Sequence, residues 1–133
     1  MKRKLSVLLA VSLLVAIIGC ATTSTQLTAP QQADLNFYKI LAGAKASYDT
    51  TFQALADLQK QGKLSDADAL KAVNAGNVFY LSYLVAESTY EIYHGQVVAT
   101  PDQVPTNQAT LEQQIADVSK KIGDFPATMP VTK

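Results

Sequence analysis

Between Phe37 and Leu58 the chain repeats a simple rhythm. Phe37, Leu41, Ala44, Tyr48, Thr51, Leu55 and Leu58 follow one another at alternating steps of four and three. That is the period of one buried face of an α-helix, and it predicts a first helix over about 29–61. Its ends are marked as well. Thr28 with Gln31 three residues on reads as a capping box, Pro30 suits a first turn, and Gly62 stands where a left-handed C-terminal cap is expected. After a short "KLS" turn, Ser65 with Asp68 repeats the N-cap pattern, and Asp66 and Asp68 suit the positive end of a helix dipole. The second helix is expected over 66–94, stopped by Gly95.

Its middle, "VFYLSYLVA" from Val78 to Ala86, is apolar on nearly every side. Such a helix should be contacted on several faces. It is too short to cross a bilayer, and Asn77 and Glu87 frame it. A connector with two prolines, "QVVATPDQVPTN", leads to Thr106 and Asn107, either of which could cap a third helix over 107–122. There Leu111, Ile115, Val118 and Ile122 form a narrow stripe. Gly123 and Pro126 should end it and leave a loose tail, 124–133. The fold expected is all-α: an antiparallel three-helix bundle over 31–123.

Folding the first two helices about Lys63 and Leu64 brings together residues whose numbers sum to about 127. The small patch Ala42, Gly43, Ala44, Ala46 and Ser47 then meets Tyr80, Leu81, Tyr83 and Leu84, while Phe52 and Leu55 meet Ala72, Ala75 and Gly76. Large faces small at both levels, as close packing requires. Tyr48 falls beside Phe79.

Charge changes the picture at one end only. The 133 residues hold 11 basic and 11 acidic side chains, but three of the basic ones are Lys2, Arg3 and Lys4. Without them 8 basic face 11 acidic, a formal −3, with no basic stripe to attract nucleic acid. One cysteine excludes an intramolecular disulfide.

"MKRK" followed by the apolar run Leu5–Ile18 has the form of a signal peptide. A helix over that run spans about 21 Å, short of a ~30 Å hydrocarbon core. The run closes on Ile17, Ile18, Gly19 and Cys20. This "IIGC" resembles the lipobox of bacterial lipoproteins. The resemblance covers residues 1–20 only, and it implies that 1–19 are removed and that Cys20 carries a diacylglycerol on sulfur and an acyl group on its new amino terminus. In Gram-negative members an aspartate after the cysteine retains the protein at the inner membrane. Ala21 stands there, which implies the periplasmic face of the outer membrane in such a cell; elsewhere the anchor would be the cell membrane. Residues 20–30, small and uncharged, then read as a flexible tether.

Candidate chemistry is thin. Glu87, Glu91 and His94 lie on one helical face, and Glu91-x-x-His94 has the spacing found in di-iron bundles. Those sites need two such motifs and two more glutamates, whereas the chain has a single histidine. A polar helix end is the simpler reading. No nucleophile–base motif and no phosphate loop occurs, and no pair of carboxylates is marked. The expectation is therefore no enzyme, no metal, and no cofactor beyond the acyl groups on Cys20. Tyr90 and Tyr93, far from the tight turn, are expected as an exposed pair for contacts. Asn74 and Asn77, inside an apolar helix, either fix its register in the core or face an open groove. The reading that follows is a non-enzymatic envelope lipoprotein, held to the bilayer through Cys20, that contacts another envelope protein. The alternative is a module for a small apolar or lipidic ligand beside Asn74, Asn77 and the tyrosines. The third is a metal-binding bundle at Glu87, Glu91 and His94.

Overall fold

A computed structural model describes residues 26–125. The signal segment, Cys20 with the start of the tether, and the tail beyond Phe125 lie outside the described residues. Three helices follow in order: α1 (Ala29–Lys60), α2 (Asp66–Ala99) and α3 (Gln108–Asp124). Each packs on both of the others, which makes the three-helix bundle.

Local chemistry sets the first boundaries where the sequence places them. Thr28 Oγ1 accepts from the Gln31 amide, and the Gln31 side chain accepts from the Thr28 amide, closing the capping box. At the other end of α1, Gly62 takes φ +67°, while its amide bonds Gln59 O and the Lys63 amide bonds Leu58 O. This is a Schellman ending, which needs a left-handed residue that glycine alone adopts without steric cost. Ser65 accepts from the Asp68 amide to start α2. Its hydroxyl and Lys71 together hold the Asp68 carboxyl below the usual range.

Two boundaries differ from expectation. Gly95 does not stop α2, which runs on to Ala99. The extra turn buries Val97 beside the fully enclosed Tyr93. Burying a valine contributes about 1.5–3 kcal/mol, more than the ~1 kcal/mol that a helical glycine costs. Pro101 ends the helix instead, since the residue before a proline is driven to extended backbone, and Thr100 sits at φ −140°, ψ 76°. Neither Thr106 nor Asn107 caps α3 through its side chain. The Thr106 amide donates to Gln96 Oε1 and Asn107 Nδ2 donates to Thr89 O, so both tie the connector to α2. The helix then continues through Gly123 to Asp124, and Phe125 is buried, so the expected tail begins with a helical residue and a packed one.

The core has two parts. The larger joins Phe37, Leu41 and Ala44 of α1 to Phe79, Tyr83, Ala86, Tyr93 and Val97 of α2 and to Leu111, Ile115 and Val118 of α3. The smaller, near the α1–α2 turn, holds Leu55, Leu64, Ala72 and Phe125. The large-against-small pairing of the hairpin holds at Phe52, whose ring occupies the space that a Cβ on Gly76 would need. Tyr48 stacks on Phe79 at 5.0 Å between ring centres and 23° between planes. Opposite the turn, polar bonds close the bundle. Thr28 Oγ1 donates to Pro101 O at 2.5 Å, and Tyr93 Oη donates to Pro30 O at 3.3 Å.

Candidate functional site

Extending α2 to Ala99 moves its acidic and aromatic residues inward from the helix end, and this changes their surroundings. Glu87 accepts from Tyr83 Oη at 2.8 Å. His94 turns to α1 instead, with Nδ1 at 2.9 and 3.1 Å from the two Asp34 oxygens. Glu91 is exposed. Among the described residues no group of three histidine, cysteine or carboxylate side chains is placed to hold a metal ion.

The expected exposed pair of tyrosines is corrected. Tyr93 is fully buried, its ring edge-on to Phe37 at 5.2 Å. The helix has another turn and a half beyond it, so Tyr93 lies within the bundle rather than at its rim. Tyr90 is half-buried, near the exposed Tyr38 at 6.5 Å. Burial first, and the neighbouring Asp34 carboxylate second, push its hydroxyl up to about 12. Tyr83 is likewise pushed up to about 12, by burial and then by its bond to Glu87.

Asn74 and Asn77 also differ from expectation. Both are exposed, so neither fixes register in the bundle core nor faces a groove between helices. The ring of Phe52 against Gly76 sets the rotation of α2, turning Ala72, Gly76, Phe79 and Tyr83 inward and the asparagines away.

Two surface features remain. Between α1 and α2 lies a groove of about 460 Å³, with Leu41, Ala42 and Ala46 on its floor and Tyr38, Tyr83, Tyr90 and Glu87 among its walls. On the α1 side of it Lys45 bonds Asp49, one turn on, at 2.5 and 2.6 Å, and that carboxylate raises the lysine pKa. The second feature is the exposed side of α2, part of which, at Val78, Leu81 and Val85, borders α3. Leu70 (62%), Val78 (55%), Leu81 (65%), Val85 (55%) and Ile92 (59%) are all largely exposed there. No charged residue occurs between Lys71 and Glu87. The helix is therefore apolar on its inward and outward sides alike. Within a single chain α1 and α3 both contact this helix, and the side that carries these five residues is left largely exposed. A lone exposed leucine is ordinary, whereas Val78, Leu81 and Val85 are exposed together on the charge-free stretch 72–86.

The chain matches no known family model, no curated protein and no solved structure.

Proposed function

We propose that the protein is a non-enzymatic lipoprotein of the bacterial envelope, held by acyl groups on Cys20 at the periplasmic face of the outer membrane, whose helical domain acts by contacting protein. The observation that carries the contact role is the exposed face of α2, where Val78, Leu81 and Val85 are more than half exposed within the charge-free stretch 72–86, and Leu70 and Ile92 continue the apolar line beyond it. Removing such a face from water contributes roughly 25 cal/mol per Å², and protein interfaces have this apolar centre with a polar rim. The anchor rests on "IIGC" at the end of the apolar run. Two or three acyl chains at ~0.8 kcal/mol per buried methylene make attachment effectively permanent.

Two measurements test the two parts. Replacing Cys20 by alanine should abolish fatty-acid labelling and membrane retention; unchanged labelling and retention overturn the anchor. A photo-crosslinking residue placed at Leu81 in living cells should give a protein adduct, and the same residue at exposed Gln53 of α1 should not. The absence of any adduct at Leu81 overturns the contact role.

The α1–α2 groove supports a second reading, a small apolar ligand, because its volume falls within the ~300–1,000 Å³ of ligand pockets. Native mass spectrometry of the purified chain should then show a bound mass that Ala46→Trp, which fills the floor, removes.

A further inference from the structure

We propose that the outward face of α2 pairs with the same face of a second copy, the two helices running antiparallel with Leu81 at the two-fold axis. This rests on the protein-contact role and supplies its partner.

The face is built of side chains that complement themselves. Leu70, Leu81 and Ile92 are spaced eleven residues apart, close to three helical turns, so they stand nearly in line along the helix. Asn74, Asn77 and Ser88 lie on the same exposed side. Leucine packs on leucine, and an asparagine amide both donates and accepts. A two-fold interface requires this of its central residues, because the same patch serves both partners.

Charge decides the direction. In a parallel pair the exposed Glu91 would stand level with its own copy, like against like. In an antiparallel pair centred on Leu81, residues whose numbers sum to 162 stand level. Leu70 then meets the level of Ile92, Asn74 that of Ser88, and Lys71 that of Glu91. At these three levels apolar falls on apolar, polar on polar and base on acid, while Asn77 stands level with Val85, and the two helix dipoles oppose. Asn74, which fits nowhere in the bundle core, thereby gains a polar partner across the interface, the use of a seam asparagine to set register.

Area is modest. The face from Leu70 to Ile92 is about 35 Å long and about 10 Å wide, giving roughly 700 Å² over both copies. That is the size of a weak interface. Anchoring both copies in one membrane, as proposed above, raises their effective concentration and offsets the modest area.

The test uses the full chain in its own membranes, with single cysteines under mild oxidation. The parent chain is the blank, because Cys20 is its only cysteine and in the proposed anchor its sulfur carries the lipid. Leu81→Cys should form a species of twice the mass, well above Gln53→Cys, which reports random collision. Leu70→Cys and Ile92→Cys should each link poorly alone and efficiently when co-expressed. Strong self-linking of Leu70→Cys and of Ile92→Cys separately would mean parallel pairing and would overturn the proposal. So would no disulfide from any of the three while the Leu81 photo-adduct contains a different protein; the contact role would then survive and the second copy would not. Leu81→Lys should abolish the dimer without loss of helicity, since the site faces water in the single chain. A dimer that persists in Leu81→Lys places the interface elsewhere and likewise overturns it.

Discussion

At the scale of single residues, Gly76 does more than any other position to orient the bundle. Its missing side chain admits the ring of Phe52, which stacks in turn on Phe125 at 5.5 Å. Gly76→Ala should gain ~1 kcal/mol of helix propensity but cost about 1–3 kcal/mol through overpacking. A net loss near 1 kcal/mol is expected in urea denaturation, cancelled when Phe52→Leu is combined with it. A variant more stable than the parent would show that Phe52 swings aside freely. This contact was legible in the sequence, as was Tyr48 beside Phe79, because one tight turn fixes the level of every residue in an antiparallel pair. The fate of Tyr93, Asn74 and Asn77 was not. A helix apolar on two opposite sides has the right period but no phase, so the pattern cannot say which side faces in. Only the partner surfaces, here Phe52 and Tyr48 against Gly76, resolve it.

At the scale of elements, two glycines that look alike in sequence as helix stops behave in opposite ways. Gly62 holds a left-handed backbone at the end of α1, while Gly95 sits within α2 with no atom near the position its Cβ would occupy. Gly62→Ala should destabilise by about 1–2 kcal/mol, the cost of a left-handed residue with a side chain. Gly95→Ala should stabilise by about 0.5–1 kcal/mol through propensity alone. Thermal unfolding of both variants checks the signs; a stabilising Gly62→Ala would mean that the turn tolerates a different ending. The caps of α1 and α2 were readable because each is made within four residues. The true ends of α2 and α3 were not, since they depend on Val97 and Phe125 finding places in a core assembled from distant segments.

For the whole molecule, the shared core couples ionisation to folding. Tyr83 and Tyr90 are both pushed up to about 12 from 10. A hydroxyl that ionises later in the folded than in the unfolded chain contributes stability that is fully present below pH 10 and lost as pH rises through 12. The urea midpoint should therefore be insensitive to these groups near neutrality and fall above pH 10, together with the rise of tyrosinate absorbance. A midpoint unchanged up to pH 12 would contradict the burial of both rings. The bonds at the end opposite the Gly62 turn bear on a different matter, the mechanics of the bundle. Thr28 is fastened to Pro101, Pro30 to Tyr93, and Asp34 to His94. Tension on the chain ahead of Ala29 enters at that fastened end and is shared at once between α1, α2 and their connector. Before α1 can part from its neighbours at that end, these bonds from Thr28, Pro30 and Asp34 must break, so a pull on the chain ahead of Ala29 meets resistance from α2 and the connector as well as from α1.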